Sequence, residues 1–239
     1  MTQHQAVIQT LEKLGGKATL GLLNQEVLKI KECEWKTKTP FASIRRIVQE
    51  RPEIFKIRPG LWALKSFEGM QGFIAETSEN KNSEAVKEEN HAFYQGIITE
   101  LGNLKQLATF LPNQDKNKKY FDKKLDDLRT LKEIPPFGYD FLVQRARTID
   151  CIWFNERTMP DSFFEVEHST DIQNSLVKYA DLQDFNVKMY VVADEARKKE
   201  FDVKINYIAL KSIQKRVQFI SYDDLMKHHE FAFKQVLSL

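Results

Sequence analysis

The chain has 239 residues, of which 42% are hydrophobic and 29% are charged, and its formal net charge at pH 7 is +2. These values are ordinary for one large or two small globular domains, and they exclude a wholly disordered chain. The sequence has no apolar run of about 20 residues, no signal-peptide pattern and no disulfide or zinc framework, which predicts a cytoplasmic protein without a membrane partner.

The charge is unevenly distributed along the chain. Residues 1–68 carry 12 Lys/Arg against 7 Asp/Glu, residues 69–90 carry 2 against 5, and the remainder carries 22 of each sign. The chain is therefore a basic head, an acidic linker and a neutral body. Because local fields rather than net charge attract a polyanion, the head is the part that would attract one.

The sequence of the basic head predicts three helices followed by a β-hairpin. Apolar residues at helical spacing indicate helices over 3–14, around 20–27 and after Pro40. Two short alternating apolar runs within 54–64 flank a Pro-Gly turn, which is typical of a hairpin. This order of elements predicts a winged helix-turn-helix domain over residues 1–68.

The basic head also resembles a known family, the HARE-type helix-turn-helix, which is a winged helix found fused to restriction endonucleases and in chromatin proteins. The motifs that carry the resemblance are Thr39-Pro40, Ser43-Ile44-Arg45-Arg46, Phe55 and Gly60-Leu61-Trp62-Ala63-Leu64. A helix of this kind enters the major groove, where arginine pairs with guanine and glutamine with adenine. The resemblance implies DNA binding, whereas a winged helix used for protein contact or dimerisation stays open. The predicted DNA-binding residues here are Lys36, Lys38, Ser43, Arg45, Arg46, Gln49, Lys56 and Arg58.

A flexible acidic linker is predicted over residues 69–90, which are rich in Glu, Asn, Ser and Lys. From His91 the chain is globular again, and residues 91–239 form the second predicted domain. Helices and strands alternate there, which indicates an α/β (α+β) core with a mixed sheet. The predicted elements are a helix at 91–106, strands near 107–111, around Asp150 and around 163–168, a helix at 171–184, a strand at 187–193, a helix near 195–202, a strand at 217–221 and a closing helix from Asp223.

The acidic residues of this second domain carry the chemistry. Residues 163–168 alternate apolar and acidic side chains, as a half-buried strand does, so Glu165 and Glu167 project from one face. Two carboxylates next to each other on one strand face raise the free energy of the folded state unless a cation lies between them. Asp150 lies upstream, in a second apolar run over 149–154. One acid on one strand and two on the next suits a hard cation such as Mg²⁺, although a solvated outer face is the commoner meaning of Glu-x-Glu alone.

The set Asp150, Glu165-Val166-Glu167 resembles the PD-(D/E)xK nuclease superfamily, the restriction-endonuclease-like fold of many type II restriction enzymes. Its motif is an acid at the end of one strand and a (D/E)-x-K pair on the next. Here Ile149 replaces the proline and Glu167 replaces the lysine. Some type II enzymes carry an E-x-E pair and remain active, and Lys178 on the following helix is a candidate for a migrated lysine.

This second resemblance implies the roles of the individual residues. Asp150, Glu165 and Glu167 would be catalytic residues and ligands of Mg²⁺, for which Mn²⁺ can substitute. Glu100 looks like the catalytic glutamate that the first core helix often carries in the family, because it falls within or beside that helix's apolar stripe. The histidines show no metal-ligand spacing, and His91 is interpreted as a capping or packing residue. Beside a nuclease cleft, the basic run that includes Lys116, Lys118 and Lys119 could grip DNA, although such a run is usually a solvated loop.

Two functions follow from these patterns. The first is a metal-dependent DNA endonuclease of restriction type, in which a winged helix is joined to a restriction-endonuclease-like core. Cutting both strands of double-stranded DNA favours a homodimer, because one active site cuts one strand. The alternative is a catalytically inactive DNA-binding regulator or sensor, which the missing motif lysine supports.

Overall fold

The computed structural model describes residues 1–70, 72–77, 79–80, 83–168 and 171–237. The chain divides into two compact units, of which the first comprises Met1–Lys81 and Met226–Leu239 and the second comprises Asn82–Leu225. Within the described ranges, no helix combines the length and the apolar character that crossing a membrane requires.

The first unit begins with three helices and a hairpin, as the sequence predicts. Its elements are α1 (Gln3–Lys13), β1 (Lys17–Thr19), α2 (Leu20–Val27), α3 (Pro40–Glu50), β2 (Ile54–Arg58) and β3 (Leu61–Leu64). The strands form an antiparallel sheet in the order β1-β3-β2. Strand β1 was not predicted, because so short a strand cannot show a period of two. It follows Gly15 and Gly16, whose φ angles of 78° and 88° let the chain turn out of α1.

The second unit is a five-stranded mixed sheet covered by helices, which confirms the predicted α/β class. The sheet order is β10-β9-β8-β7-β4, in which β8, β9 and β10 are parallel while β7 is antiparallel to both of its neighbours. Helices connect the parallel strands, as crossover connections require. The elements are α4 (Glu84–Leu104), β4 (Ala108–Phe110), β5 (Lys119–Tyr120), β6 (Lys123–Lys124), α5 (Leu125–Leu128), α6 (Asp140–Ala146), β7 (Cys151–Phe154), β8 (Pro160–Glu167), α7 (Ile172–Asp181), β9 (Lys188–Ala193), α8 (Lys198–Lys204), β10 (Val217–Ser221) and α9 (Tyr222–Leu237), the last of which belongs to the first unit from Met226.

Helix α4 begins earlier than the sequence predicts. Residues 84–90, which were expected to be linker, form its first turns. The Ser83 hydroxyl accepts the backbone N–H of Val86 and so caps the helix, while Val86 and Asn90 are buried. The composition that suggests a linker is rich in Glu, Lys and Ala, which are also strong helix formers.

Strand β8 is buried on both faces, which corrects the expectation of a half-buried strand and excludes a solvated outer face. On one face Phe163 packs with Leu176 and Tyr179 of α7. On the other face the Phe164 ring lies 4.4 Å from that of Trp153, whose indole N–H donates to a backbone oxygen of α4. The acidic residues of β8 therefore lie between a central strand and α7 rather than in solvent.

Candidate active site

The pairing of β7 with β8 brings the first two predicted acids together. Cys151 is paired with Phe164 in the antiparallel ladder, so the next step along both strands places Asp150 beside Glu165. The backbone N–H of Val166 donates to Asp150 Oδ2 over 2.8 Å, which fixes the Asp150 carboxylate against β8. The sheet register therefore joins acids that are well separated in sequence.

Helix α7 supplies the positively charged side chain of the site. Lys178 Nζ lies 2.7 Å from Glu165 Oε2 and 2.9 Å from the backbone oxygen of Thr148. The hydroxyl of Ser175, one turn earlier on the same helix face, lies 3.1 Å from Glu165 Oε2 and also contacts Glu167 Oε1, so its single proton is shared between the two carboxylates. Lysine thus reaches the first glutamate of the Glu-x-Glu pair from the helix instead of from the strand.

Glu167 has a different set of neighbours from Glu165. Its Oε2 lies 3.9 Å from Arg197 Nη1, and its Oε1 accepts the Ser175 hydroxyl. Its backbone oxygen accepts the Tyr222 hydroxyl over 3.2 Å. The second carboxylate of the pair is therefore held by a serine and an arginine at the end of β8.

Burial sets the ionisation of this group. The pKa of Glu165 is raised well above its usual value, first by burial and then by the charge of Asp150, against the opposing effect of Lys178. The pKa of Asp150 is raised as well, chiefly by burial. Burial alone would lower the pKa of Lys178, but attraction to Glu165 and Asp150 outweighs it and raises the pKa.

One carboxylate oxygen of the site has no hydrogen-bond partner among the described residues. Glu165 is 2% exposed, and its Oε1 accepts no hydrogen bond from any residue that the structure describes. A buried acceptor without a donor costs about 1–3 kcal/mol. The orphaned oxygen and the raised carboxyl pKa values fit a cation bound between Asp150 and Glu165, since a cation would satisfy the oxygen and favour both charged forms.

A second group meets at Asp150, and sequence spacing gave no sign of it. Ligand atoms of His91, Asp115 and Asp150 all lie within 4.8 Å of one another. Asp150 is the member that this group shares with the predicted metal ligands; Glu165 and Glu167 are not part of it. His91 lies two turns inside α4 rather than at the cap expected from the sequence, and Asp115 lies between β4 and β5, so no local motif could reveal them.

Glu100 lies on a different part of α4 from the residues that reach Asp150 and Asp115. His91 and Gln95 are one turn apart on the face of α4 that reaches Asp150 and Asp115. Glu100 lies about 140° around the helix from Gln95, and its carboxylate accepts the Tyr120 hydroxyl over 2.9 Å. Helix α4 thus contributes a histidine and a glutamine beside Asp150 and Asp115, and the role expected of Glu100 stays a prediction.

The predicted DNA-binding residues divide by exposure. Ser43 and Lys118 are half-buried, and Arg58 is only 4% exposed, so Arg58 does not offer the surface charge that a phosphate contact requires. Lys118 pairs with Asp115 over 2.7 Å. The exposed members of the set are Lys36, Lys38, Arg45, Arg46, Gln49, Lys56, Lys116 and Lys119.

Two adjacent arginines of α3 differ in their partners. Arg45 forms an ion pair with Glu230 of α9, a buried acid that also lies 3.5 Å from the Asn24 amide. The Arg46 side chain is 72% exposed, with Glu50 at 3.9 Å on the same helix. The outer face of α3 is therefore open at Arg46 and restrained at Arg45.

Comparison with known proteins gives the family. Residues 73–237 match the model of the type II restriction enzyme NmeDI C-terminal domain. The chain is 32% identical over 122 residues to the type II restriction enzyme NmeDI of Neisseria meningitidis serogroup C, an alignment that covers 46% of this chain and 35% of that protein. No solved structure matches. Because the family model covers most of the chain, including every residue of the acidic site, the chain belongs to the family of the type II restriction enzyme NmeDI C-terminal domain.

Proposed function

We propose that this protein is a metal-dependent endonuclease of restriction type that hydrolyses phosphodiester bonds in double-stranded DNA. The observation that carries the proposal is the ion pair of 2.7 Å between Lys178 and Glu165, with Asp150 on the neighbouring strand. Two acids on paired strands and one lysine are the constellation of the nuclease superfamily that the sequence resembles. Membership of a restriction-enzyme family supports the same function.

In this proposal Asp150 and Glu165 hold a divalent cation, Mg²⁺ or Mn²⁺. Both offer carboxylate oxygens, the ligands that Mg²⁺ prefers, and it commonly uses only one or two protein carboxylates. Such a cation, when bound, supplies positive charge that stabilises the negative charge developing on the scissile phosphate. The unpartnered Oε1 of Glu165 is the oxygen that would face it.

Lys178 serves as a charged donor rather than as a base. Its raised pKa keeps the ammonium protonated, and two of its three protons point at Glu165 and the Thr148 carbonyl. The third proton can then hydrogen-bond the attacking water or a phosphate oxygen. Glu167 becomes a positioning residue, because Ser175 and Arg197 hold its carboxylate and Ser175 also orients Glu165.

The first unit supplies affinity for DNA in this proposal. Its helices and hairpin follow the winged-helix order, with α3 as the recognition helix. Arg46 and Gln49 are exposed on α3 and can reach base edges, while exposed lysines neutralise phosphates. Two copies of the chain would be needed to cut both strands, so we propose a homodimer on its DNA.

The test is digestion of plasmid and genomic DNA, methylated and unmethylated, by the purified chain with Mg²⁺, Mn²⁺ or EDTA. The wild type should cut only with a divalent ion. Asp150→Asn and Glu165→Gln should cut at least about 100-fold more slowly, since even supporting residues of metal sites cost about 10- to 100-fold. Both variants should still shift DNA in a gel.

Glu156→Gln is the matched control, because Glu156 is an exposed acid in the turn between β7 and β8. It should cut as the wild type does. Equal cutting by Glu165→Gln and the wild type would overturn the assignment of the site. A wild type that binds DNA but cuts none of these substrates with either metal would instead be the inactive regulator or sensor.

A further inference from the structure

We propose that the second unit has an additional metal site, formed by His91, Asp115 and Asp150, that takes a transition-metal dication such as Mn²⁺ or Co²⁺ through a histidine nitrogen. The inference rests on the proposed function only in that Asp150 is shared with the catalytic cation site. The two sites would stand on either side of the Asp150 carboxylate, one with Glu165 and the other with His91 and Asp115.

The ligand atoms are already grouped closely enough for one ion. Those of His91, Asp115 and Asp150 lie within 4.8 Å of one another. Ligands at about 2.1 Å from an octahedral ion are separated by about 3 Å when adjacent and about 4.2 Å when opposite. A pair at the 4.8 Å limit would therefore have to draw together by about 0.6 Å to stand opposite across an ion, or by about 1.8 Å to stand adjacent. His91 Nε2 lies 3.7 Å from Asp150 Oδ1, which is beyond hydrogen-bond distance and between those two ligand separations.

Gln95 provides an independent indication of a ligand. Its side chain is fully buried, and its Nε2 donates to Asp115 Oδ2 over 2.9 Å and to the Asp150 carbonyl over 3.0 Å. Both partners are acceptors, so they determine which end of the amide faces them. Its Oε1 belongs to an amide held between the Asp115 carboxylate and the Asp150 main-chain carbonyl, and it accepts no hydrogen bond from the described part of the chain. An ion, or a water bound to it, supplies the missing partner.

The charges of the pocket leave room for a dication. Lys118 Nζ lies 2.7 Å from Asp115 Oδ1, and Lys178 pairs with Glu165 on the other side of Asp150, so these three acids and two lysines sum to one negative charge. The Lys118 side chain is about a quarter exposed and comes from the loop before β5, from which it can turn to solvent when an ion arrives. Asp115 itself is buried, so its carboxylate cannot recruit bulk water in place of an ion.

The histidine decides which ions the site prefers. Mg²⁺ and Ca²⁺ are bound by oxygen ligands, whereas imidazole suits transition metals and affinity rises from Mn²⁺ to Co²⁺. The catalytic pair Asp150 and Glu165 offers only oxygen. The group with His91 should therefore discriminate in favour of Co²⁺ and Mn²⁺, and the two sites become separable by choice of metal.

The experiment is calorimetric titration of the full chain with Co²⁺, Mn²⁺ and Mg²⁺, for the wild type and for His91→Ala and Asp115→Asn. The wild type should bind Co²⁺ more tightly than Mg²⁺. Both variants should lose at least about 10-fold in Co²⁺ affinity, the loss typical of metal-site residues, and His91→Ala should leave Mg²⁺ affinity unchanged. His228→Ala is the matched control, because His228 is an exposed histidine of α9 in the first unit.

A second measurement uses the unmodified chain and so does not depend on the folding of a variant. Electron spin-echo spectroscopy of bound Mn²⁺ should show modulation from a coordinated nitrogen. Absence of nitrogen coupling, unchanged Co²⁺ affinity in His91→Ala, or loss of Co²⁺ binding in His228→Ala would each overturn the site.

The additional metal site and the proposed nuclease function can be refuted by different results. Loss of Co²⁺ binding in Glu165→Gln but not in His91→Ala would leave the catalytic cation site standing and remove the additional one. Co²⁺ binding that depends on His91, in a chain that cuts no DNA, would support the metal site and refute the nuclease.

Discussion

The charged side chains with proposed functional roles differ in exposure between the two units of this protein. In the first unit the basic residues of α3 are at the surface, and Arg46 is 72% exposed. In the second unit the acids of β8 are buried, and Glu165 is 2% exposed. Exposed charges interact through water and are screened by salt, so each contributes little but together they attract a polyanion. Buried charges shift the pKa values of their neighbours, because little water screens them.

Two adjacent residues of α3 also differ in how far their side chains are restrained. Arg45 is restrained by the buried Glu230, whereas Arg46 has the exposed Glu50 beside it. Helical periodicity in the sequence places both arginines on or near the same outer face of α3. Their different partners mean that a surface assigned by helical periodicity alone contains residues with unequal availability for DNA.

The largest effect on DNA cleavage should come from removing Lys178, the positively charged side chain of the buried site. Lys178→Ala should lower the DNA cleavage rate about 100- to 1,000-fold, the usual cost of removing one preorganised donor, while DNA affinity stays the same. The measurement is the nicking rate of supercoiled plasmid with Mg²⁺, beside a gel-shift titration. Lys199→Ala removes an exposed lysine of α8 and should cut normally. A Lys178→Ala enzyme of full activity would show that burial near Glu165 does not make a lysine catalytic.

The exposed face of α3 should give the next largest effect. Arg46→Ala should weaken specific DNA binding about 5- to 150-fold, which corresponds to the roughly 1–3 kcal/mol of a bidentate base contact. Fluorescence anisotropy with a cleaved site selected from the genomic digest measures it. Lys13→Ala, at the exposed end of α1, is the control and should bind normally. Equal affinity for all three proteins would assign α3 to protein contact instead.

The pH dependence of stability should reveal the buried carboxylates. The pKa values of Glu165 and Asp150 are raised in the folded state, so folding takes up protons at these groups. The contribution of these two groups to the metal-free free energy of unfolding should therefore be greatest below the ordinary carboxyl pKa and be lost as the pH rises through their raised folded values. Each unit of pKa difference corresponds to about 1.4 kcal/mol.

Urea denaturation in EDTA, repeated between pH 4.5 and 8, measures this slope. Glu165→Gln should flatten it, because the amide does not titrate. Saturating Mg²⁺ should stabilise the wild type more at pH 8 than at pH 5. A slope that is identical in Glu165→Gln and the wild type would show that Glu165 does not bind its proton more tightly on folding.

The smallest effect is expected at the restrained arginine. Glu230→Gln keeps the shape of the side chain but removes the charge that pairs with Arg45, so DNA affinity should rise about 2- to 5-fold, the range of a partly exposed ion pair. The salt dependence of binding should steepen by about one counterion. Unchanged affinity and slope would mean that Arg45 lies away from the DNA even when released.

Much of the fold could be predicted because its signals are local. The stripes of α1 and α3, the alternation of β8 and the apolar run of β9 each fall within one element. The errors occur where local signals are weak or point to more than one structure. Strand β1 is too short to show a period, and the glutamate-rich start of α4 has the composition of a linker as well as that of a helix.

By itself the sequence determined that Glu165 and Glu167 share a strand face, since alternation is a property of the extended backbone. It also contained the nuclease-like pattern and indicated Lys178 as a candidate for the migrated motif lysine. Only the tertiary structure decided that the face is buried, that Lys178 pairs with Glu165, and that His91 and Asp115 meet Asp150. Periodicity describes neighbours along the chain, whereas the packing of α4 and α7 on the sheet sets burial and partners across it.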